Sequence, residues 1–321
     1  MPEAATGSII DVAVGVLITP AGKVLLGDRP AGKPWAGWWE LPGGKLEAGE
    51  TVMQALSREL HEELGIELIT ATPWVTYVHH YPTTTVRLFF CRVTGWKGEP
   101  ASLEQQQLKW ADIDTATDLP DLLPAAYPPL RWLQLPTTYL ISSVQSAAGL
   151  PAFMNKLQTA MQQGVKLVQW REPDWQGGEM LAAFDQVKNI CHAHGAKLLV
   201  NSVHEEGLWD RADGVHFRAV DAGKQATRPD SLADKLVGIS THNEQELTLA
   251  REFGADFVVL GPVLPTASHP GAPTLGWDEF ERLNQSAGLP AFAIGGQSPA
   301  TLTLAQSRGA HGIAGIANLV G

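Results

Sequence analysis

Four glutamates and one arginine, Glu50, Arg58, Glu59, Glu62 and Glu63, fall within a single short stretch between Gly44 and Gly65. Val52, Leu56, Leu60 and Leu64 recur every four residues through it, which predicts a helix with one apolar stripe. Glu59, Glu62 and Glu63 then share a face, and like charges at that spacing repel. A solvated acidic helix is the plainer reading of any two adjacent glutamates. Three crowded carboxylates are better explained by a cation above them. Hard oxygen donors of this kind suit Mg2+ or Mn2+ held together with phosphate oxygens. Arg58 and Glu62 are four residues apart and can pair, which would fix the direction of one carboxylate.

The complete spacing is more specific than any pair. Gly44, five residues, Glu50, seven residues, Arg58-Glu59-Leu60, one residue, Glu62-Glu63, one residue and Gly65-Ile66 match every fixed position of the Nudix box. The first ~135 residues resemble the MutT-type branch of that family, the 8-oxo-dGTP diphosphatases. The resemblance implies a Nudix α/β/α sandwich with a mixed sheet. It implies metal ligation by Glu59, Glu62 and Glu63, by the carbonyl of Gly43, and by Glu104, which follows Gly98-Glu99-Pro100 outside the box. Glu50 supports the set. Arg29 takes the place of the arginine that contacts the oxidised guanine, and Glu40, Leu41, Pro42 and Gly43 match the stretch lining the nucleotide. One position departs. The family's base-reading asparagine is here Ala126, in Pro124-Ala125-Ala126-Tyr127-Pro128, and alanine cannot pair with a base edge. Asp118 and Asp121 are the nearby polar candidates to replace it.

The expected chemistry follows from charge. A triphosphate repels an incoming water; divalent ions on the carboxylate face would neutralise it and activate that water. A glutamate must accept the proton. The resemblance makes Glu59 the first choice and Glu104 the second, with Arg58 orienting the cluster. The expected products are a nucleoside monophosphate and pyrophosphate.

The elements that must position these groups are partly legible. Ile9 to Thr19 reads as a strand, Pro20 to Lys23 as a turn, and Lys23 to Gly27 as the returning strand of a hairpin. Trp35, Trp38 and Trp39 read as packing of a loop against the core. Trp74 to His80 and Thr84 to Val93 read as two further strands, with His79 and His80 as surface or core histidines rather than ligands. Pro120, Pro124, Pro128, Pro129, Pro136 and Pro151 suggest a stiff, extended boundary, and the chain divides best near Leu135, into domains 1–135 and 136–321.

Beyond the boundary, short apolar runs alternate with helix-like segments. The runs start at Tyr139, Leu167, Lys197, Gly214, Val237, Phe257, Ala291 and Gly312, eight in all, which reads as a compact (β/α)8 TIM barrel. In such a barrel the strands' C-terminal ends carry the chemistry. Here those ends hold Gln169, Arg171, Asn201, His216, Ser240 to His242, Thr266 within Pro265 to Ser268, and Gly295-Gly296, a pair that would suit a phosphate before a helix.

Gln169-Trp170-Arg171, Val200-Asn201, Gly214-Val215-His216, Gly238 to His242, Gly261 to Thr266 and Ala293 to Gly296, taken in order, resemble the thiamine phosphate synthase and TenI-like family. Departures from it point away from synthesis. Pro173 replaces a lysine, Ser202 replaces the aspartate of the Asn-Asp metal pair, and His269 replaces a second lysine; Asp221 stands as the remaining metal carboxylate. The resemblance therefore implies a degenerate barrel that stabilises the chain or binds a phosphorylated ligand, with His216 and His242 as hydrogen-bonded residues of the barrel mouth.

Composition bounds the rest. The chain has 321 residues, 44% hydrophobic and 18% charged, which fits folded protein. A net charge of −11 disfavours a nucleic-acid polymer as partner but not a metal-neutralised nucleotide. Cys91 and Cys191 lack metal-ligand spacing and read as reduced, buried thiols. No basic-then-apolar leader or long apolar run is evident, so a soluble cytoplasmic protein is expected. The combined expectation is an α/β protein in which a Mg2+- or Mn2+-dependent Nudix hydrolase of nucleoside triphosphates, serving nucleotide-pool sanitation and DNA repair, precedes the barrel. Two alternatives are hydrolysis of thiamine-related pyrophosphates and a bifunctional hydrolase and synthase.

Overall fold

The computed structural model describes residues 9–225, 227–266, 271, 273–316 and 319. The chain forms two compact units, Met1–Leu135 and Pro136–Gly321.

The first unit contains β1 (Ile10–Leu17), β2 (Lys23–Asp28), β3 (Trp39–Glu40), β4 (Gly43–Lys45), α1 (Val52–Leu64), β5 (Glu67–His80), β6 (Thr85–Lys97), β7 (Leu108–Asp112) and α2 (Tyr127–Leu133). One mixed sheet runs β4-β1-β6-β5, with β1 and β6 parallel and the outer pairs antiparallel; a second runs β3-β2-β7. Strand β1 is the middle layer because its side chains alternate between faces. Ala13 and Leu17 pack with Leu56, Leu60 and Leu64 of α1, whereas Val14 and Val16 pack with Leu130 and Trp132 of α2. Each fully buried leucine contributes about 1.5–3 kcal/mol. Helix α1 begins in a capping box between Thr51 and Gln54 and ends at Gly65 with φ +68°, a conformation glycine adopts without strain.

Three sequence expectations need correction. The returning strand, β2, does fold back, closed by the antiparallel bridge Ile18–Val24 and by the Thr19 N–H donating to the Lys23 carbonyl at 2.9 Å, but it then joins the other sheet, paired with β3 and β7. The proline cluster is not extended throughout. Pro128 and Pro129 open helix α2, where a missing N–H costs nothing, and the helix buries Leu130 and Trp132. Trp35 is exposed rather than packed in the core, held edge-on to Trp38 at 4.6 Å.

The second unit is a closed barrel of eight parallel strands, in the order β8 to β15 around the ring. They are β8 (Thr138–Ile141), β9 (Leu167–Trp170), β10 (Lys197–Asn201), β11 (Gly214–Arg218), β12 (Leu236–Thr241), β13 (Phe257–Leu260), β14 (Ala291–Ile294) and β15 (Gly312–Gly315). Helices α3 (Leu150–Gln162), α4 (Gly178–Ala193), α5 (Glu206–Trp209), α6 (Ala219–Ala222), α7 (Glu244–Phe253), α8 (Gly276–Asn284) and α9 (Leu302–Ser307) connect them. The strands are buried on both faces, which is why they read as unbroken apolar runs. The four-residue α5 and α6 leave no periodicity for the sequence to show. Among the described residues, no helix is long and apolar enough to cross a membrane.

Candidate functional site

In the first unit, α1 and the β3–β4 turn bring the box residues together. Arg58 is the hub. Its Nε and Nη2 donate to the two oxygens of Glu50, each at 2.8 Å; Nη1 donates to Glu59 Oε1 at 2.8 Å and approaches Glu62 at 3.4 Å; Nη2 also reaches the carbonyl of Lys45 at 3.0 Å. The forked geometry suits guanidinium and not ammonium. Hydrogen bonding to Arg58 lowers the Glu50 carboxyl to about 2. The sequence expectation of an Arg58–Glu62 pair is thus the weakest of these contacts.

Gly44 lies against Glu59. A Cβ on Gly44 would sit 2.2 Å from the Glu59 carboxyl carbon, so only glycine leaves that carboxylate its place. Gly43, at φ +141°, crosses β1 so closely that a Cβ would come within 2.2 Å of the Ala13 carbonyl. Its N–H donates to Glu63 Oε2 at 3.0 Å. Burial pushes the Glu63 carboxyl up to about 8; the Gly43 N–H opposes this, while the carboxylates of Glu59, Glu104 and Glu40 add to it.

Glu63, Glu40, Glu104, Leu41 and Pro42 line a small open cleft. Glu104 pairs with Lys33 at 3.0 Å. Its loop is fixed by Gln106, a buried residue that the sequence reading passed over. Gln106 Oε1 accepts from the Glu104 N–H at 2.9 Å, and its Nε2 donates to the Glu63 carbonyl at 3.0 Å. A run of three glutamines in a polar loop offered no signal that the middle one turns inward.

Arg29 Nη1 donates to Glu40 at 2.7 Å, while Arg29 Nε is buried without a hydrogen-bond partner. Burial raises the Glu40 carboxyl even against the pull of Arg29. Tyr81, a second residue missed, lies near Arg29 and Glu40. Burial pushes its phenol up; Arg29, Glu40 and the Ala125 backbone also act on it. Ala126 is buried, its N–H bonded to the Leu123 carbonyl at 2.8 Å. Asp118 and Asp121 are exposed.

Among the described residues, no three His, Cys, Asp or Glu side chains close into a ready-made cation cage. Arg58 holds Glu59 Oε1 and lies 3.4 Å from Glu62 Oε2. The donor chemistry nevertheless fits a divalent ion. Glu63 is a half-buried carboxyl near three others and receives a single hydrogen bond among the described residues, so positive charge is what the cluster lacks.

In the barrel, the predicted residues fall into two groups. Gln169, Asn201 and His216 are buried in one network: Asn201 donates to Gln169 at 2.7 Å, Gln169 donates to the Tyr139 hydroxyl at 3.1 Å, and His216 meets Tyr139 at 3.3 Å and Ser240 at 2.9 Å. Burial first, and Arg171 second, hold the His216 imidazole down to about 3. His242 pairs with Glu246 at 2.8 Å. Arg171 is half-buried, and among the described residues its guanidinium has no hydrogen-bond or ion-pair partner. Gly295 and Gly296, with φ of +93° and +65°, pack on Pro262 and Leu264. The helix after them is only the six-residue α9, preceded by a 3-10 turn, so the expected phosphate position at a helix start lacks a substantial dipole. Thr266 lies beside this region; Ser268 and His269 fall outside the described residues.

The other metal carboxylate expected of the barrel, Asp221, is already satisfied. It accepts from Ser202 at 2.8 Å, from Arg218 at 2.6 Å and from Lys224 at 3.1 Å. Glu172, next to the Pro173 that stands where the family has a lysine, is a buried carboxylate taking N–H donors from Val144 at 2.9 Å and Gln145 at 2.7 Å and the hydroxyl of Ser142. Cys91 and Cys191 are free, buried thiols pushed up to about 12 by burial.

Comparison with known proteins agrees with this division. The NUDIX domain family model matches residues 10–133, and the thiamine monophosphate synthase family model matches residues 138–319. The 8-oxo-dGTP diphosphatase of Haemophilus influenzae is 41% identical over 104 residues, covering 32% of this chain and 76% of that protein. The thiamine-phosphate synthase of Geobacillus kaustophilus is 35% identical over 162 residues, covering 49% of this chain and 73% of that protein. That of Synechococcus sp. (strain WH7803) is 34% identical over 175 residues, 54% of this chain and 50% of that protein. The chain spans about half the length of such longer synthase relatives. With an Arg58-centred carboxylate box in one unit and a closed eight-strand barrel in the other, the chain belongs to the Nudix family through its first unit and to the thiamine monophosphate synthase family through its second.

Proposed function

We propose that the first unit is a Mg2+-dependent nucleoside triphosphate pyrophosphohydrolase that converts 8-oxo-dGTP to 8-oxo-dGMP and pyrophosphate, and that the barrel is a degenerate synthase. The observation that carries the reading is the half-buried Glu63 at the cleft, near Glu59, Glu104 and Glu40 and with one hydrogen bond among the described residues. The similarity to the Haemophilus influenzae diphosphatase supports the substrate class.

Glu59, Glu63 and Glu104, with the Gly43 carbonyl and Glu62 at the exposed edge, would hold the cation. When bound, it neutralises phosphate charge and promotes ionisation of the attacking water. The chain's own groups do the rest. Glu59 accepts the proton of the water, whose oxygen bonds to phosphorus as the phosphoanhydride link to the leaving group breaks. The electron pair of that link departs with its bridging oxygen. Arg58 holds Glu59 in one rotamer through a 2.8 Å bond, so the base is aimed before substrate arrives. Leu41 and Pro42 line the cleft, and Glu40 fixes the Arg29 guanidinium through a 2.7 Å bond to Nη1.

The test is a product assay on full-length protein with Mg2+, offering 8-oxo-dGTP, dGTP, dATP and thiamine diphosphate in parallel. Pyrophosphate and 8-oxo-dGMP should appear, and Glu59→Gln should slow release by at least about 10^2-fold. Equal rates on every purine nucleotide would remove the oxidised-guanine assignment, and absence of nucleotide turnover would remove the reading itself.

A second reading is favoured by Ala126 and by the attached barrel: the Nudix unit would hydrolyse a thiamine-related pyrophosphate. Cleavage of thiamine diphosphate with nucleotides untouched would establish it. A third is a bifunctional enzyme, for which full-length protein must join the pyrimidine pyrophosphate to thiazole phosphate.

A further inference from the structure

The last carbonyls of a helix have no intrahelical partner. At the end of α1 the segment 101–107 provides one. The Ala101 N–H donates to the Leu64 carbonyl at 2.9 Å, and the Leu103 N–H to the Glu63 carbonyl at 3.1 Å. The other foot of the segment stands on β2. There the Asp28 N–H donates to the Gln107 carbonyl at 3.0 Å, and Asp28 Oδ1 accepts from the Gln107 N–H at 2.6 Å. Glu104, Gln105 and Gln106 arch between these two feet.

Under the arch lies the buried Gln106 carboxamide. Its Nε2 donates to the same Glu63 carbonyl at 3.0 Å, and its Oε1 accepts from the Glu104 N–H at 2.9 Å and from the Ser102 hydroxyl at 3.3 Å. The reverse orientation of the amide would set donor against donor and oxygen against oxygen, so its neighbours fix it. An extended residue 105 would send the side chains of 104 and 106 to one face. Gln105 is instead left-handed, at φ +64°, which turns the carboxamide back onto the N–H two residues before it. Left-handed backbone costs an L residue roughly 1–2 kcal/mol and persists where its surroundings fix it. Three bonds from one side chain do so here. That side chain is also neutral. A lysine would compensate the negative charge of Glu63 and Glu104, and an ionised glutamate could not donate to the Glu63 carbonyl.

Resting on the reading of the first unit as a metal-dependent hydrolase, we propose that Gln106 is a positioning residue: it ties the backbone of Glu104 to that of Glu63, so that the carboxylate outside the box and the one inside it meet the same cation. Both carboxylates line one cleft. Gln106 acts through two backbone groups, and its effect on the cation passes through Glu104.

The test is the binding of Mn2+ to full-length protein without nucleotide, followed by the electron paramagnetic resonance signal of the free ion. Wild type is compared with Glu104→Gln, Gln106→Met and the double variant. Gln106→Met should weaken Mn2+ binding by about 10–100-fold, the usual loss when a residue that orients a ligand is removed. Glu104→Gln should weaken it too. The double variant should match the weaker single variant within about twofold, because Gln106 acts through Glu104. A general loosening of the fold would add to the Glu104→Gln loss. Additive losses, or unchanged binding in Gln106→Met beside a weakened Glu104→Gln, would overturn the proposal and leave the hydrolase reading standing. Unchanged binding in Glu104→Gln would overturn the assignment of Glu104 as a ligand, on which the proposal rests. Wild-type protein gives a further readout that needs no variant to fold. The Glu104 amide hydrogen should exchange at least about tenfold more slowly than an unstructured amide. Exchange at the unstructured rate would mean that Gln106 does not hold Glu104 in solution, and the proposal would fall.

Discussion

The two units treat a half-buried carboxylate in opposite ways. In the barrel, Asp221 is matched by Arg218 and Lys224, and nothing is left for a metal to do. In the Nudix unit, Arg58 is shared among Glu50, Glu59 and Glu62, while Glu63 lies near Glu59, Glu104 and Glu40 with, among the described residues, the Gly43 N–H alone for relief. One carboxylate is compensated by the chain and the other is left with surplus negative charge around it. The lesson is that residue type at a motif position decides less than whether the protein itself completes the charge. A carboxylate that the chain neutralises is structural; one that it leaves short of charge is poised for a cation and its substrate.

The contrast can be broken most sharply at Gly44. Gly44→Ala would place a methyl group 2.2 Å from the Glu59 carboxyl, and the flexible side chain, not the backbone, must yield. A displacement of about 1 Å at a reacting group costs roughly 10^2-fold in rate. We therefore expect pyrophosphohydrolase kcat to fall by about that factor, with the thermal unfolding midpoint within about 2 °C of wild type. Unchanged kcat would show that Glu59 does not act from its observed position. A smaller loss, about tenfold, is expected for Arg58→Lys, because an ammonium cannot hold Glu50 through two parallel bonds and Glu59 through a third. Steady-state kinetics should show it in kcat with KM nearly constant. An equal effect on KM alone would mean that Arg58 binds substrate instead of positioning Glu59.

The sequence exposed the chemistry of the box better than its surroundings. Helix α1 was legible because a four-residue apolar repeat ends at a glycine; its Thr51 cap was not read. The eight barrel strands were legible because burial on both faces makes them continuous apolar runs. Strand β7 was missed because Leu108–Asp112 mixes exposed and buried side chains over only five residues. The proline-rich segment misled because proline is as much at home in the first turn of a helix as in an extended linker, and only the burial of Leu130 and Trp132 distinguishes them. Gln106 and Tyr81 were invisible for another reason. Each acts through a contact distant in sequence, Gln106 on the Glu63 carbonyl and Tyr81 beside Arg29 and Ala125, and no local spacing encodes such a pair. The satisfaction of Asp221 was equally hidden, since Arg218 and Lys224 look like ordinary surface charges until the turn at α6 folds them back.

In the barrel, a pH experiment sharpens the comparison from the neutral side. His216 is held to about 3 in the folded chain by burial and by Arg171, against about 6.5 when unfolded. Its folded pKa is the lower one, so between these values the unfolded chain binds more protons. Stability due to the neutral imidazole is complete above about pH 6.5 and is lost as pH falls toward 3, at no more than about 1.4 kcal/mol per pH unit. His216→Asn should be less stable than wild type near pH 7.5 but lose about 1 kcal/mol less between about pH 7.5 and pH 5.5 in denaturant titrations. Parallel slopes for the two proteins would mean that His216 is not the group that titrates.

The smallest expected effect tests whether a visible ion pair matters. Lys33 and Glu104 meet at 3.0 Å, but their side chains are 52% and 42% exposed, so the pair adds little to stability. Lys33→Met should change unfolding free energy by less than about 0.5 kcal/mol. Its effect on the site has the opposite sign to that of Gly44→Ala. Glu104 would lose its one cation and become, like Glu63, a carboxylate short of positive charge, so the concentration of Mg2+ needed for half-maximal activity should fall. A rise in that concentration would show that Lys33 organises the Glu104 loop rather than competing for it, and that Gln106, bonded to the Glu104 N–H at 2.9 Å, cannot hold the loop alone.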